Sequence, residues 1–448
     1  MIQSKVKSKL VFSERRFNAG YYLNEDALNS FKLEVSPEKS IALSQVANVF
    51  NPPIFKRQFC QQTERAIPYC QSSDVTNALE GSDVFINKKQ AEKVGSVVKM
   101  NQILVTGFGT IGNTRLVNEL SQGISYANNV CRIESNGEIP YGYIYAFMTS
   151  KYGRSQLNKN ASGSVVRYIE APGVKRTLVP ILPEDKQQQI HQLIVDSAKL
   201  RVQANRLLKE AVDLMESNLN ENNVSNGFQT QSVSSKSFNY LHKRFDAQYQ
   251  VMWKAIRNNY SEIEYKKLGE FAENIFVGNR GKRNYVNEGI PFLSSSDMML
   301  FNPLRNSKQI SKNSPGLDSM KVQKKDILIS RSGTVGNTVI VGEYLNNVAI
   351  SEHALRLRID TNLISPNYVF TYLKTKVGLK SMEASAFGSV IITLNEELIA
   401  DIDLPILSNE ISLKIENLIE EYISKLDNSI HKENQAIDLI EKEIDAWQ

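Results

Sequence analysis

The chain has 448 residues, enough for two or three domains that each bury a core of their own. A hydrophobic fraction of 41% and a charged fraction of 23% are ordinary for a globular protein, and no run approaches the roughly 18 apolar residues of a membrane span. The formal net charge of +5 suits a polyanionic partner without requiring one.

In chain order, residues 1–10 alternate lysines with Val6 and Leu10 and lack the apolar stretch of a secretory signal. A mixed region follows to Pro183, in which Ile103–Thr106 reads as a strand ending in a glycine turn and Gly142–Tyr152 as a Tyr/Phe-rich helix. After Pro183, the acidic pair Glu184-Asp185 suits a helix N-terminus. Ile190, Leu193, Ser197, Leu200, Ala204, Leu207, Ala211 and Leu214 then recur in steps of three and four, the rhythm of a coiled-coil seam. Residues 218–239 are rich in Asn, Ser and Gln and read as a linker. A second mixed region runs over 240–407, with a strand at Ile327–Ser330 and a helix near Asn367–Lys376. The final segment, 408–448, carries Ile411, Ile415, Leu418 and Tyr422, then Ile437, Ile440, Ile444 and Trp447, with a stutter around Leu426 and Ile430.

The two halves are copies. Ile103–Thr114 returns as Ile327–Thr338 with seven of twelve positions identical, where composition alone gives about one. Ile67-Pro68 and Ser72-Ser73-Asp74 return as Ile290-Pro291 and Ser295-Ser296-Asp297, and Gly163-Ser164-Val165 as Gly388-Ser389-Val390. Leu178–Leu182 returns as Asp403–Leu407, and the openings Arg16–Tyr21 and Arg244–Tyr249 also match. The expectation is an α/β (α+β) fold of two similar domains, 1–183 and 240–407. Two long helices, 184–217 and 408–448, would separate them and form an antiparallel coiled coil in a pseudo-twofold plan.

Motifs for chemistry are few. Gly107-Phe108-Gly109-Thr110-Ile111-Gly112 is a literal GxGxxG, but no helix pattern follows it and the second copy has Arg331 in place of the first glycine. Gly-Thr-(Ile/Val)-Gly-Asn-Thr, common to both copies, reads as a tight turn whose amides could face phosphate. Asn51-Pro52-Pro53-Ile54 resembles the motif of amino-methyltransferases but lacks the aromatic residue that stacks on a flipped base. No P-loop, HExxH or nucleophile elbow is present. The cysteines (Cys60, Cys70, Cys131) and histidines (His191, His242, His353, His431) have no ligand spacing. We therefore expect a cytoplasmic, non-catalytic chain without a metal or other cofactor. Basic-polar loops are more informative. Arg280, Lys282, Arg283 and Asn284 lie together in one half, and Lys56 and Arg57, with Arg65 close by, hold the matching place in the other. Such side chains pair with phosphates and base edges.

These residues resemble the specificity (S) subunit of type I restriction-modification systems. The resemblance covers essentially the whole chain. It rests on the Arg-Phe-(Asn/Asp)-Ala openings, the Ile-Pro…Ser-Ser-Asp segments, the run Asp326–Gly336, and Phe387-Gly388-Ser389 followed by a Leu-Pro-Ile-Leu exit into a helix. The family resemblance implies two target recognition domains, each reading one half of a bipartite site on double-stranded DNA. It also implies that the helices set the spacer, and that two methyltransferase subunits, which carry the S-adenosylmethionine chemistry, and then two restriction subunits assemble on the chain. The candidate DNA contacts are then Lys56, Arg57, Arg65, Thr110 and Asn113 in the first domain. In the second they are Arg280, Lys282, Arg283, Asn284, Arg331, Ser332, Thr334 and Asn337. The rival reading is a two-domain protein-interaction scaffold that binds no DNA; salt-dependent DNA binding separates the two.

Overall fold

A computed structural model describes residues 24–36, 39–78, 81–163, 167–219, 247–257, 263–388 and 392–447. The opening Arg16–Tyr21, residues 244–246 of its counterpart, residues 220–239 of the linker, and Ser164-Val165 and Ser389-Val390 of the repeat lie outside the described residues, while Ala247–Tyr249 begin a helix. By its contacts the chain divides into two units, residues 1–202 with 428–448, and residues 203–427.

Each unit is built around β-branched runs that alternate between two faces. In the first unit all of Ile103–Thr106 is buried. Ile103 and Val105 join a core with Tyr143, Phe147 and Tyr152 from the helices, whereas Leu104 packs in another with Val98, Val117 and Tyr126. This is the period-two alternation of a strand covered on both sides. Ile327 and Ile329, against Leu328, divide in the same way in the second unit.

The sheets repeat strand for strand. The first unit has the order Ala47–Phe50, Val130–Ser135, Ile103–Thr106, Thr114–Leu116, antiparallel throughout. The second unit has Ala272–Val277, Ala354–Ile359, Ile327–Ser330, Thr338–Ile340. A smaller mixed sheet orders Phe59–Cys60, Phe85–Asn87, Ala66–Cys70 and Ser125–Tyr126. Its counterpart orders Tyr285–Val286, Lys308–Ile310, Ile290–Leu293 and Ala349–Ile350. A last pair joins Ser40–Ala42 to Leu178–Pro180, and Glu264–Lys267 to Asp403–Ile406. Equivalent polar ties hold with changed chemistry. Gln102 Nε2 donates to Glu134 at 2.6 Å, where the second unit has Arg358 donating to both oxygens of Asp326 at 2.9 and 3.0 Å.

Two long helices, Glu184–Asn218 of 35 residues and Asn409–Asp445 of 37, contribute to each unit. In the first unit Lys186 pairs with Glu443, Asp196 with Lys432 and Ser197 with Ser429. Rising numbers on one helix meet falling numbers on the other, so the helices run antiparallel there. Ser197 and Ser429 exchange hydroxyl-to-carbonyl bonds at 2.8 and 2.9 Å. In the second unit Leu208, Ala211 and Met215 share a core with Ile415, Ile419 and Ile423.

The seam differs from the sequence reading by one residue at alternate positions. Ile190, Ser197, Ala204 and Ala211 are buried as expected, but their companions are Ile194, Arg201, Leu208 and Met215. Leu193, Leu200, Leu207 and Leu214 are only half-buried. On the second helix Ile419 and Ile423 replace Leu418 and Tyr422 at the centre. A helix turns about 100° per residue, and adjacent apolar pairs such as Leu207-Leu208 leave two faces equally plausible. Arg201 argued for the wrong one. It is buried because Glu433 meets it at 3.4 Å, while Glu433 also accepts from the Tyr145 hydroxyl at 2.5 Å. Burial and the Glu433 carboxylate raise the Tyr145 pKa well above its ordinary value, keeping that hydroxyl a donor. In denaturant unfolding followed by circular dichroism, Ile194→Ala should therefore cost about 2–4 kcal/mol and Leu200→Ala less than half as much. The reverse ranking would restore the original register.

Candidate nucleic-acid interface

The glycine turn closes on one hydroxyl. Thr106 Oγ1 donates to the Thr110 carbonyl at 2.5 Å and accepts from the Asn113 amide at 3.0 Å. Ser330 Oγ makes the same two bonds, to Thr334 and from Asn337, at 2.6 and 3.0 Å. Backbone bonds between Thr106 and Asn113, and between Ser330 and Asn337, complete the loop. Gly109, Gly112, Gly333 and Gly336 all have positive φ, between 73° and 88°, which is why the turn is glycine-rich. Thr110 and Thr334 therefore spend their carbonyls, and Asn113 and Asn337 their amides, on the turn itself. The side chains of Thr110 and Thr334 face solvent; those of Asn113 and Asn337 are half-buried.

The departure at Gly107 has a steric cause. Gly107 donates to the Asn129 carbonyl at 3.0 Å and accepts from Ile169 at 2.8 Å. A Cβ there would lie 2.4 Å from the Ile169 oxygen. Arg331 makes the same backbone bonds, to His353 and from Leu394, at 3.0 and 2.8 Å. Its side chain is half-buried and its Nε has no hydrogen-bond partner. Ser332, also half-buried, bridges to Thr393, where the first unit stacks Phe108 on Tyr168 at 5.4 Å.

The basic loops adopt one construction in both units. Arg57 stacks on Tyr69, 5.4 Å from the ring centroid, donates from Nε to the Tyr69 hydroxyl, and reaches Asn128 Oδ1 from Nη2 at 3.3 Å. Arg283 stacks on Phe292 at 4.7 Å and donates to Glu352. An exposed aromatic stands beside each: Phe59, 62% exposed, edge-on to Tyr69, and Tyr285, 52% exposed, edge-on to Phe292. Arg280 is 82% exposed and lies 3.5 Å from Glu352, which is only 13% exposed. Burial alone would raise the Glu352 pKa, but a backbone amide and the charges of Arg283, His353 and Arg280 hold it below its ordinary value. Lys56, Arg65 and Lys282 are exposed. The Lys56 carbonyl accepts from Gln90, and the Arg65 carbonyl from the Lys88 amide. Asn284 is exposed and its carbonyl pairs with Ser311.

What joins the basic loop to the glycine turn is a segment that sequence reasoning missed. Residues 127–129 touch Arg57 through Asn128 and Gly107 through Asn129; residues 351–353 touch Arg283 through Glu352 and Arg331 through His353. Each segment is fixed from below by a fully buried arginine. Arg132 donates to the carbonyls of Ser96, Tyr126, Ala127 and Val130, and Arg356 to those of Met320, Ile350 and Ala354. Burial lowers the pKa of both to about 10, so both remain charged at neutral pH. An arginine at the third position of the strands Val130–Ser135 and Ala354–Ile359 was the available signal. Asn51 is structural: it donates to the Asn128 carbonyl at 3.0 Å and accepts from the Ala171 amide at 2.8 Å.

Among the described residues, no group of three or more His, Cys, Asp or Glu is placed to hold a metal, and no helix is long and apolar enough to cross a membrane. The family profile described as "Type I restriction modification DNA specificity domain" matches residues 37–207 and again residues 260–442. The chain belongs to this family. Each match takes in one mixed region and part of a long helix, so the family unit itself occurs twice. Over 410 residues the chain is 22% identical to the type I restriction enzyme EcoBI specificity subunit of Escherichia coli, covering 89% of this chain and 81% of that protein. Two similar solved structures are the S subunit of a type I restriction-modification system from M. genitalium and the HsdS subunit from Thermoanaerobacter tengcongensis. The first has 16% identity, covers 91% of this chain and 94% of that one, and has a TM-score of 0.31; the second has 15%, 92%, 97% and 0.29.

The buried arginine can be tested directly. Arg132→Met or Arg356→Met strips three or four carbonyls of a charged donor, and should destabilise the unit that carries it by about 3 kcal/mol or more. Amide hydrogen exchange should rise first at residues 126–130 or 350–354. Unchanged protection there would show that the segment is held by other contacts.

Proposed function

We propose that the chain is the sequence-specific DNA-binding subunit of a type I restriction-modification complex. Each recognition domain, 1–183 and 240–407, would read one half of a bipartite site, and the helical stretches 184–217 and 408–448 would set the separation. Methyltransferase and restriction subunits, two of each, would assemble on this chain and supply all the chemistry. The observation that carries the reading is the recurrence of one construction in both units: an arginine stacked on an aromatic ring, an exposed aromatic beside it, and a buried arginine fixing the segment that meets both the basic loop and the glycine turn. Two modest half-site affinities joined in one chain multiply into a specific whole.

The candidate contacts divide by chemistry. Lys56, Arg65 and Lys282 present cations to solvent without a fixed direction, as phosphate contacts do. Arg57, Arg280, Arg283 and Asn284 lie on the loops where the copies diverge, and are the proposed base readers. Thr110, Asn113, Arg331, Ser332, Thr334 and Asn337 belong to the turn that both units share, and serve as framework or phosphate contacts. Phe59 and Tyr285 can pack against sugars or thymine methyls.

Methylation-site mapping with the assembled methyltransferase tests the division. Arg57→Ala should cost about 1–3 kcal/mol of discrimination at particular bases of one half-site, and Arg280→Ala the same in the other half-site. Lys282→Ala should weaken all sequences alike and flatten the salt dependence. Changes near Arg280 that alter the half-site governed by Arg57, or neither, would refute the assignment. The chain incubated alone with DNA and labelled S-adenosylmethionine should transfer no methyl group; transfer without partners would overturn the non-catalytic reading.

A further inference from the structure

The two basic loops are alike except at one position that changes their electrostatics. Residue 128 in the first unit and residue 352 in the second precede strands of identical register, and both contact the stacked arginine. In the first unit that residue is Asn128, a neutral amide, 3.3 Å from Arg57. In the second it is Glu352, whose carboxylate meets Arg283 through Oε2 and Arg280 through Oε1, with His353 Nε2 at 3.8 Å.

We propose that Glu352 is an electrostatic brake on the second recognition domain, an internal competitor for the cations that would otherwise bind any DNA backbone. The inference rests on the DNA-reading function above. The hold has two grades. Arg283 is 24% exposed, stacked on Phe292 and paired with Glu352, so it is fixed in direction. Arg280 is 82% exposed and paired at 3.5 Å, so DNA can draw it away at small cost. A phosphate alone offers these arginines little more than Glu352 already supplies. A base edge that accepts two hydrogen bonds from Arg280 or Arg283 offers more. The carboxylate therefore subtracts from binding at every sequence and is outweighed only at the right one, a repulsive element that gives specificity at the expense of affinity. Asn128 removes no charge from Arg57, so the first domain has no such brake and should account for most of the chain's non-specific grip.

The test is fluorescence anisotropy of a labelled duplex of mixed sequence with the full chain over a series of salt concentrations. Glu352→Gln keeps the shape of the side chain and frees two cations. It should tighten binding about tenfold and steepen the slope of log K against log salt by about 1–2. Glu352→Asp, which keeps the charge, should stay close to the parent chain. Asn128→Asp installs the brake in the first unit and should weaken binding and flatten the slope by about 1. If Glu352→Gln does not fold, Asn128→Asp carries the test alone. Steep salt-dependent binding by the parent chain with no response to either substitution would overturn the brake and leave DNA reading intact. No salt-dependent binding by the parent chain would overturn both.

Discussion

A charged guanidinium in the interior of each unit is the constraint on which the candidate interface depends. Arg132 and Arg356 are buried, and each donates to several backbone carbonyls. A buried charge is costly unless it is hydrogen-bonded, and the carbonyls turned inward meet that need. The bend shapes residues 126–130 and 350–354, which places Asn128 and Glu352 against the stacked arginines and Asn129 and His353 against the glycine turns. Gly278 lies close over Arg356, where a Cβ would come within 2.8 Å of Nη2. The polar loop above and the apolar sheet below are thus fixed by one side chain.

Duplication makes clear which contacts a unit cannot vary. The hydroxyl that closes the turn is present in both copies, as Thr106 or Ser330, because the carbonyl and amide it serves have no other partner in so tight a loop. Tyr143 and Tyr368 each donate to a proline carbonyl, Pro180 or Pro405, at 2.9 Å. Chemistry changes where a geometry can be met in more than one way, as when Gln102–Glu134 becomes Asp326–Arg358. It changes again at the basic loops, where Asn128 meets Arg57 in one unit and Glu352 meets Arg283 in the other. The two units thus share the bonds of the frame and diverge at the basic loops.

The helices obey a related rule. Their seam is apolar where Ile190 and Ile194 meet Ile437, Ile440 and Ile444, and polar where Ser197 meets Ser429 and Arg201 meets Glu433. A slip of one turn would leave those groups buried without partners, so the polar stretch fixes register at some expense in stability.

The sequence by itself determined the duplication, the mixed fold of each half, the strands Ile103–Thr106 and Ile327–Ser330, the start of the first long helix at Glu184, and the family. All of these are local or periodic signals: an offset, an alternation, an acidic first turn. It also offered Arg280 and Arg283 as candidates, as cations among glycine and asparagine, and Arg57 because Lys56-Arg57-Gln58 holds the matching place in the first copy. The seam was legible only to within one residue, since adjacent leucines satisfy two helix faces and the burial of Arg201 depends on Glu433, more than two hundred positions away. Only the tertiary structure decided that residues 127–129 and 351–353 join the basic loop to the glycine turn. It alone showed Arg132 and Arg356 to be interior, and set Asn128 and Glu352 in equivalent positions with different charge. Those facts rest on contacts between segments far apart in the chain, which carry no periodicity and follow only from how the strands pair.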